Sequence, residues 1–397
     1  MIEQLQEKQR KLVYIAKKIS YIRKEFNILN SKERLIALIG ARGVGKTTLL
    51  LQYISQYSLD EALYFSADDI SIAAFGIVEI VEEFYKMGGR IVVVDEVHMF
   101  KEWAAHIKNL YDFYPDLTIR ISGSSMLNIL MQSHDLSRRV FVKELKNLTF
   151  KEYFEIKHAA ALPNLSIDKI FKNHNKLSFE LTQDYPTLFK EFKNYLKNGA
   201  YPFFINSPSY ESFSSKLFNS IEKIIYEDIP STTKIKFENL ISFKRLIYKV
   251  VASKVPFLVK IDSLAKELAI SEPTLYTYLD ILDKTGIFRT LKKQSSKQSK
   301  KPKKIYFQNT NILYTLAKDQ QIAIDIGTVR ETFFVNSFDK IYYSDIGDFI
   351  AEGIIYEIGG KNKGFMQIKD LDKSYLVVDT DTTMHKNKIP LWMFGMI

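Results

Sequence analysis

Leu35-Ile36-Ala37-Leu38-Ile39-Gly40-Ala41-Arg42-Gly43-Val44-Gly45-Lys46-Thr47 joins an apolar run to a glycine-rich turn, and this stretch decides how the first third of the chain is read. An apolar run that stops at a glycine predicts a buried strand. The residues from Gly40 onward satisfy G-x-x-x-x-G-K-[ST]. Glycines allow backbone N–H groups to curl around an anion, and the helix expected from Lys46–Thr47 to about Tyr57 adds its positive dipole end. In that chemistry Gly40, Ala41, Arg42, Gly43, Val44, Gly45, Lys46, Thr47 and Thr48 surround nucleotide phosphates. Lys46 reaches the β- and γ-phosphates, and the Thr47 hydroxyl ligates Mg²⁺. Arg42 has a second reading, facing a partner.

Further apolar runs at 62–65, 91–94 and 117–122 alternate with helical patterns, which predicts a parallel α/β sheet. The run Ile91–Val94 ends in Asp95-Glu96. An Asp there holds Mg²⁺, and the adjacent Glu polarises an attacking water. With the phosphate loop about fifty residues upstream, the pair marks the additional-strand class of P-loop ATPases. If strand 117–122 lies between the two motif strands, a polar group at its end senses the γ-phosphate. Ser122 and Ser124 are the candidates, and the sequence does not choose between them. Arg138 and Arg139 are candidates to neutralise transition-state charge, within the chain or across an interface, with surface ion pairing as the alternative. His98 reads as solvated or structural, and scattered histidines without paired spacing predict no zinc site.

The chain has 397 residues, enough for two or three cores, and no cysteine, which excludes disulfides, thiolate metal sites and cysteine nucleophiles. Its start lacks a signal-peptide core and no apolar run reaches a membrane span, so a cytoplasmic protein without a membrane partner is expected. Apolar residues at helical spacing predict one amphipathic helix over 1–30. The formal charge is +10, but seven lysines fall within residues 292–304, and setting them aside leaves +3. The excess belongs to one basic loop.

Beyond Phe150 helical spacing dominates to about 250. Residues 261–286 read as helix, turn, helix: Ser271 caps the second helix, Pro273 suits its first turn, and Gly286 ends it. Leu275, Leu279 and Leu282 face inward, and Thr274, Thr277 and Tyr278 face outward. With 288–291 and 305–307 pairing around the lysine loop, this makes a winged helix. Thr274, Thr277, Tyr278, Lys300 and Lys301 are its candidate DNA contacts, against a purely structural role.

The chain resembles a family of prokaryotic AAA-superfamily ATPases that carry a C-terminal domain of unknown function. The likeness is carried by Gly40–Thr47, Val94-Asp95-Glu96-Val97-His98, Trp103, Ser122-Gly123-Ser124-Ser125, Leu148–Tyr153, Gly199-Ala200-Tyr201-Pro202, Lys304–Phe307 and Ile389–Gly395. It implies ATP binding, a helix-turn-helix and a nuclease-like tail. In the tail Glu331, Asp348 and Glu357 are the candidate remnant of a metal-dependent nuclease site. The lysine expected two residues after Glu357 is Gly359, which leaves Lys361 as the substitute.

The expected architecture is therefore α/β: a P-loop parallel sheet with helices on both faces, of the additional-strand AAA type, then a helical region, a winged helix and a small α/β nuclease-like module. The expected segments are 1–30, 31–155, 156–250, 251–310 and 311–397. The expected activity is Mg²⁺-dependent ATP hydrolysis coupled to movement of the C-terminal half, with DNA, a protein partner or a second copy sensing the change. Two alternatives stand beside it: an ATP-binding module with little turnover, and an ATP-regulated metal-dependent nuclease.

Overall fold

The apolar run Leu35–Ile39 is strand β1, every residue buried, in a computed structural model that describes all residues except 124–135, 137, 234, 236–238, 254 and 295–301. The chain divides into two compact units, Met1–Lys146 and Asn147–Ile397.

In the first unit β1 is joined by β2 (Ala62–Ser66), β3 (Ile91–Asp95), β4 (Thr118–Gly123) and β5 (Phe141–Glu144) in one sheet of order β2-β3-β4-β1-β5, all pairs parallel. Strand β4 lies between β1 and β3, the condition set above for a sensing residue at its end. Ser122 pairs with Leu38, one residue short of the end of β1. A parallel sheet needs crossovers, and these are α3 (Lys46–Ile54), α4 (Ile70–Phe75), α5 (Ile77–Lys86) and α6 (Trp103–Phe113). Ile77, Ile80, Val81 and Phe84 of α5 and Trp103, Ile107 and Leu110 of α6 join Val92, Val94, Ile119 and Ile121 in one core.

The N-terminal segment departs from the single helix expected over 1–30. Helix α1 (Ile2–Ala16) stops early, a strap follows, and α2 (Phe26–Leu29) is one turn. Ile15, Ile19 and Ile22 are exposed, so the apolar spacing does not mark one buried face. Tertiary bonds fix the strap instead. The Gln52 side chain of α3 donates to the Ile19 and Tyr21 carbonyls at 3.2 and 3.0 Å. Gln9 of α1 caps edge strand β2, donating to Ala62 O at 3.1 Å and accepting from Tyr64 N at 2.8 Å.

The second unit begins with helices. Thr149 opens α7 (Phe150–His158) with a reciprocal capping box to Glu152, which explains the run Leu148–Tyr153 as a helix start. Then come α8 (Ile167–Asp184), α9 (Leu188–Asn198), α10 (Tyr210–Lys223) with a π-helical continuation over Ile224–Asp228, α11 (Ile229–Thr232) and α12 (Leu240–Val251). Gly199-Ala200 is structural: a Cβ on Gly199 would meet the Tyr195 ring at 2.5 Å, and Ala200 N donates to the buried Asn311 side chain at 2.7 Å.

Strands β6 (Phe257–Leu258), β7 (Phe288–Leu291) and β8 (Lys304–Phe307) form an antiparallel sheet of order β6-β8-β7, with α13 (Ile261–Glu267) and α14 (Glu272–Lys284) lying between β6 and β7 in the chain. Helices α15 (Thr310–Asp319) and α16 (Ile326–Asn336) lead to a second sheet. It holds β9 (Tyr342–Tyr343), β10 (Phe349–Ala351), β11 (Ile354–Gly360), β12 (Ser374–Asp379) and β13 (Lys388–Pro390), with β11, β12 and β13 parallel and β9 and β10 antiparallel. Gly359-Gly360 forms the end of β11. The closing Leu391–Met396 is buried, with Phe394 packed edge-on against Phe334 and Tyr356.

Candidate functional site

Gly43 and Gly45 have φ of 85° and 99°, a backbone open at little cost only to glycine, and Gly45 caps α3 from that conformation. Lys46 is buried and its ammonium donates to the Gly40 and Ala41 carbonyls at 2.9 and 3.2 Å. Its charge is thereby held over the loop. Thr47 and Thr48 follow in the first turn of α3, with Thr47 exposed.

The two motifs meet at Asp95. Its Oδ2 accepts from Thr47 Oγ1 at 2.6 Å and from Tyr64 OH at 2.9 Å. Its Oδ1 accepts from the Ser122 hydroxyl and from Glu96 N, the latter at 3.1 Å. The carboxylate is almost fully buried yet bonded at both oxygens, as a buried charge requires. Burial, with the Asp95 charge second, pushes the Tyr64 phenol far above its ordinary range, so it remains a donor. Thr47 Oγ1 and Asp95 Oδ2 are adjacent hard oxygens at a helix N-terminus, a donor set that fits Mg²⁺.

Glu96 stands in the left-handed region at φ 48°, where non-glycine residues are uncommon, and its N–H also donates to Ser122 Oγ at 3.2 Å. Its carboxylate lies 3.4 Å from His98 Nδ1, on an imidazole that is only 2 % exposed. Ser122 therefore sits within this constellation, and Ser124 lies outside the described residues. Tyr64 is the member that sequence reasoning missed, since a tyrosine in an apolar strand carries no signal. Of the two readings given for His98, solvated or structural, its burial beside Glu96 fits the structural one.

Arg138 and Arg139 are not brought to this cluster. Phe141 of β5 pairs with Ile36, so both arginines lie near the N-terminal edge of the sheet, while Gly40 leaves β1 at the opposite edge. Arg139 forms a bidentate pair with Asp112 of α6 at 2.7 and 3.0 Å, and Arg138 is exposed in the turn. The surface ion pair is the reading the structure supports within the chain.

Residues 32–154 match the model of the AAA domain. Residues 189–322 match a domain of unknown function, DUF8612. The uncharacterized protein MJ1637 of Methanocaldococcus jannaschii is 29 % identical over 382 residues, spanning 87 % of this chain and 80 % of its own length. The uncharacterized protein MJ1544 of the same organism is 23 % identical over 275 residues, 67 % of this chain and 58 % of its own. Among solved structures, PCH-2 of C. elegans aligns at a TM-score of 0.30 and 15 % identity, over 54 % of this chain and 68 % of its own. AMPPCP-bound DnaA from Aquifex aeolicus aligns at 0.28 and 16 %, over 68 % and 86 %. Among the described residues no helix is long and apolar enough to cross a membrane.

Outside the residues that match the AAA domain, the second unit brings Glu331, Asp348 and Glu357 into one electrostatic neighbourhood. Tyr306 OH donates to Glu331 Oε2 at 2.5 Å, with Lys304 Nζ at 3.4 Å from the same oxygen, and Asp348 Oδ2 accepts from Ile358 N at 2.8 Å. Lys361 is not the lysine of this group: it is exposed. Lys363 takes that place, 2.6 Å from Glu357 Oε1. Its stem fills the space a side chain at 359 would need, since a Cβ on Gly359 would lie 2.5 Å from Lys363 Cβ and Cγ. Sequence reasoning missed it because Lys363 lies beyond Gly360, where β11 ends, so its approach to Glu357 follows from the path of the chain after the strand and not from spacing along it. Glu357 Oε2 is buried with no hydrogen-bond partner among the described residues. Among those residues no three His, Asp or Glu side chains converge as a metal cage.

Burial, reinforced by the nearby Asp348 charge, pushes the Glu331 carboxyl up to about 7. Burial also raises Asp348 and Glu357. An acid that keeps its proton longer in the folded state makes stability fall as pH rises from its unfolded value of 4.5 to about 7, and the loss persists above that. Relative to wild type, Glu331→Gln is therefore expected to be more stable at pH 8 than at pH 4.5, by up to about 3 kcal/mol. Urea unfolding at both pH values checks this; a difference that does not change with pH refutes it.

The outward face of α14 differs from expectation at Tyr278, which is buried and stacked on Phe243 with ring centroids 4.0 Å apart. Three residues after Leu275 and four before Leu282, it falls within their apolar stripe. Thr274 is half-buried, and the exposed Thr277 hydroxyl donates to Pro273 O at 3.0 Å. The rest of the exposed face is Glu272, Pro273, Asp280 and Lys284, with Lys284 paired to Asp280 at 2.7 Å. Lys300 and Lys301 lie outside the described residues.

Proposed function

We propose that the first unit binds and hydrolyses MgATP. The observation that carries this reading is the junction of the two motifs at Asp95, where Thr47 Oγ1 sits 2.6 Å from the carboxylate and Glu96 follows directly. Lys46 and the backbone N–H groups of Gly43–Thr47 hold the β- and γ-phosphates. Thr47 and Asp95 would hold Mg²⁺, which when bound neutralises charge on the phosphate oxygens. Glu96 accepts a proton from the attacking water, and His98 orients its carboxylate. Ser122, bonded to both Asp95 and Glu96 N, relays their positions to the end of β4. The test is steady-state ATP turnover by the full chain, with and without DNA.

For the helix-turn-helix part of the second unit, we read a winged-helix module whose α14 face suits a protein partner better than DNA. Glu272 and Asp280 on that face repel phosphate, and Lys284 is already paired. No binding of duplex DNA through this face, read by mobility shift at low salt, is the expected result.

A second reading is favoured by Lys363, which replaces the lysine missing at 359 and touches Glu357. In it the tail is a metal-dependent phosphodiesterase: Asp348 and Glu357 would hold the ion, and Lys363 orients the water. The water forms the new P–O bond, the ester oxygen leaves with a proton, and no redox partner is needed. Mg²⁺- or Mn²⁺-dependent nicking of plasmid DNA, abolished by Asp348→Ala and by Lys363→Ala but kept by Lys46→Ala, supports this reading. No nicking by wild type with either metal removes it.

A further inference from the structure

Arg23, in the strap between α1 and α2, is 8 % exposed, and its Nη1 donates to two carbonyls far apart in sequence. One is Val44 O, within the phosphate loop, at 3.3 Å. The other is Lys146 O, the last residue of the first unit, at 2.8 Å. The same chain segment touches the loop again at its start: Leu145 N donates to Ile39 O at 2.7 Å, and a Cβ on Gly40 would lie 2.3 Å from Leu145 O. Gly40, at φ 154°, is thus the residue that lets loop and exit segment lie against each other.

A trans peptide sets its C=O and its N–H in opposite directions. By drawing the Val44 carbonyl toward the strap, Arg23 turns the Gly45 N–H to the other side, away from the strap. That N–H is one of the donors a phosphate would need. One buried guanidinium therefore sets a phosphate donor and holds the residue through which the chain leaves the nucleotide-binding unit. A fork of donors on a planar group does this, whereas a lysine's ammonium fixes no such plane.

We propose that Arg23 is a positioning residue that orients the phosphate-binding turn and links nucleotide affinity to the exit segment 145–146. The proposal rests on the reading of Gly40–Thr47 as an ATP site. Linkage is reciprocal: whatever Arg23 adds to nucleotide affinity when the exit segment is docked, bound nucleotide returns as tighter docking of that segment.

Lys146 is exposed, so trypsin reports on the segment directly. The experiment compares full-length wild type, Arg23→Gln and Arg23→Lys with Mg²⁺ and the fluorescent analogue mant-ATP. It measures the dissociation constant and the rate of cleavage after Lys146, identified by fragment mass. In wild type, saturating mant-ATP is expected to slow that cleavage about tenfold. In Arg23→Gln the slowing is lost and mant-ATP binds about tenfold more weakly, a nucleotide-dependent change that a general loss of stability would not give. Arg23→Lys falls between, and carries the test alone if Arg23→Gln does not fold. Equal slowing in wild type and variants that all bind mant-ATP overturns the proposal and leaves the ATP site standing. Failure of wild type to bind mant-ATP overturns both.

Discussion

Glu96→Gln is expected to lower steady-state ATP turnover by about 10²–10⁴-fold while nucleotide is still bound. The amide matches the carboxylate in shape but cannot accept the proton of the attacking water. Its backbone, held at φ 48° by the N–H bonds to Asp95 and Ser122, has no reason to move. The loss should therefore fall on kcat, with little change in the affinity for MgATP. Turnover by Glu96→Gln equal to that of wild type would remove Glu96 as the base. Absent turnover in wild type, alone and with DNA, turns the first unit into a nucleotide-gated binding module.

Asp95→Ala is expected to cost about 3 kcal/mol of stability and to abolish the dependence of nucleotide affinity on Mg²⁺. The carboxylate takes hydrogen bonds from Thr47, Tyr64, Ser122 and Glu96 N. Removing it strands the Tyr64 and Ser122 hydroxyls inside the sheet, where water cannot reach them. Tyr64→Phe separates the two effects: it deletes one donor, costs about 1 kcal/mol, and keeps the Mg²⁺ dependence. Urea unfolding and mant-ATP titration with and without Mg²⁺ supply the measurements. An Asp95→Ala protein as stable as wild type, or one that still needs Mg²⁺ for affinity, contradicts this role.

Much of this site was legible before any fold was known. Gly40–Thr47 and Asp95-Glu96 are local patterns whose chemistry depends on neighbours in the chain, and the structure joins them at Asp95. The partners of Asp95 were less legible. Ser122 was one of two candidates, and Tyr64 was not considered, because its role comes from the pairing of β2 with β3. Where a residue's surroundings were inferred from spacing alone, errors followed. Tyr278 looked outward until its stripe was completed by Leu275 and Leu282, and the apolar residues of 17–25 suggested a helix that the Gln52 and Arg23 bonds replace with a strap.

The sequence by itself determined the glycine-rich turn Gly40–Thr47, the acidic pair that follows it, the alternation that makes a parallel sheet, and the absence of any cysteine chemistry. These are properties of short segments, set by backbone freedom, side-chain type and period. Only the tertiary structure decided that β4 separates the two motif strands, that Arg139 belongs to Asp112, that Lys363 lies over Gly359 to reach Glu357, and that Arg23 binds both Val44 and Lys146. Each of these joins groups distant along the chain through a strand order or a turn path, and no local period encodes which distant group a side chain will meet.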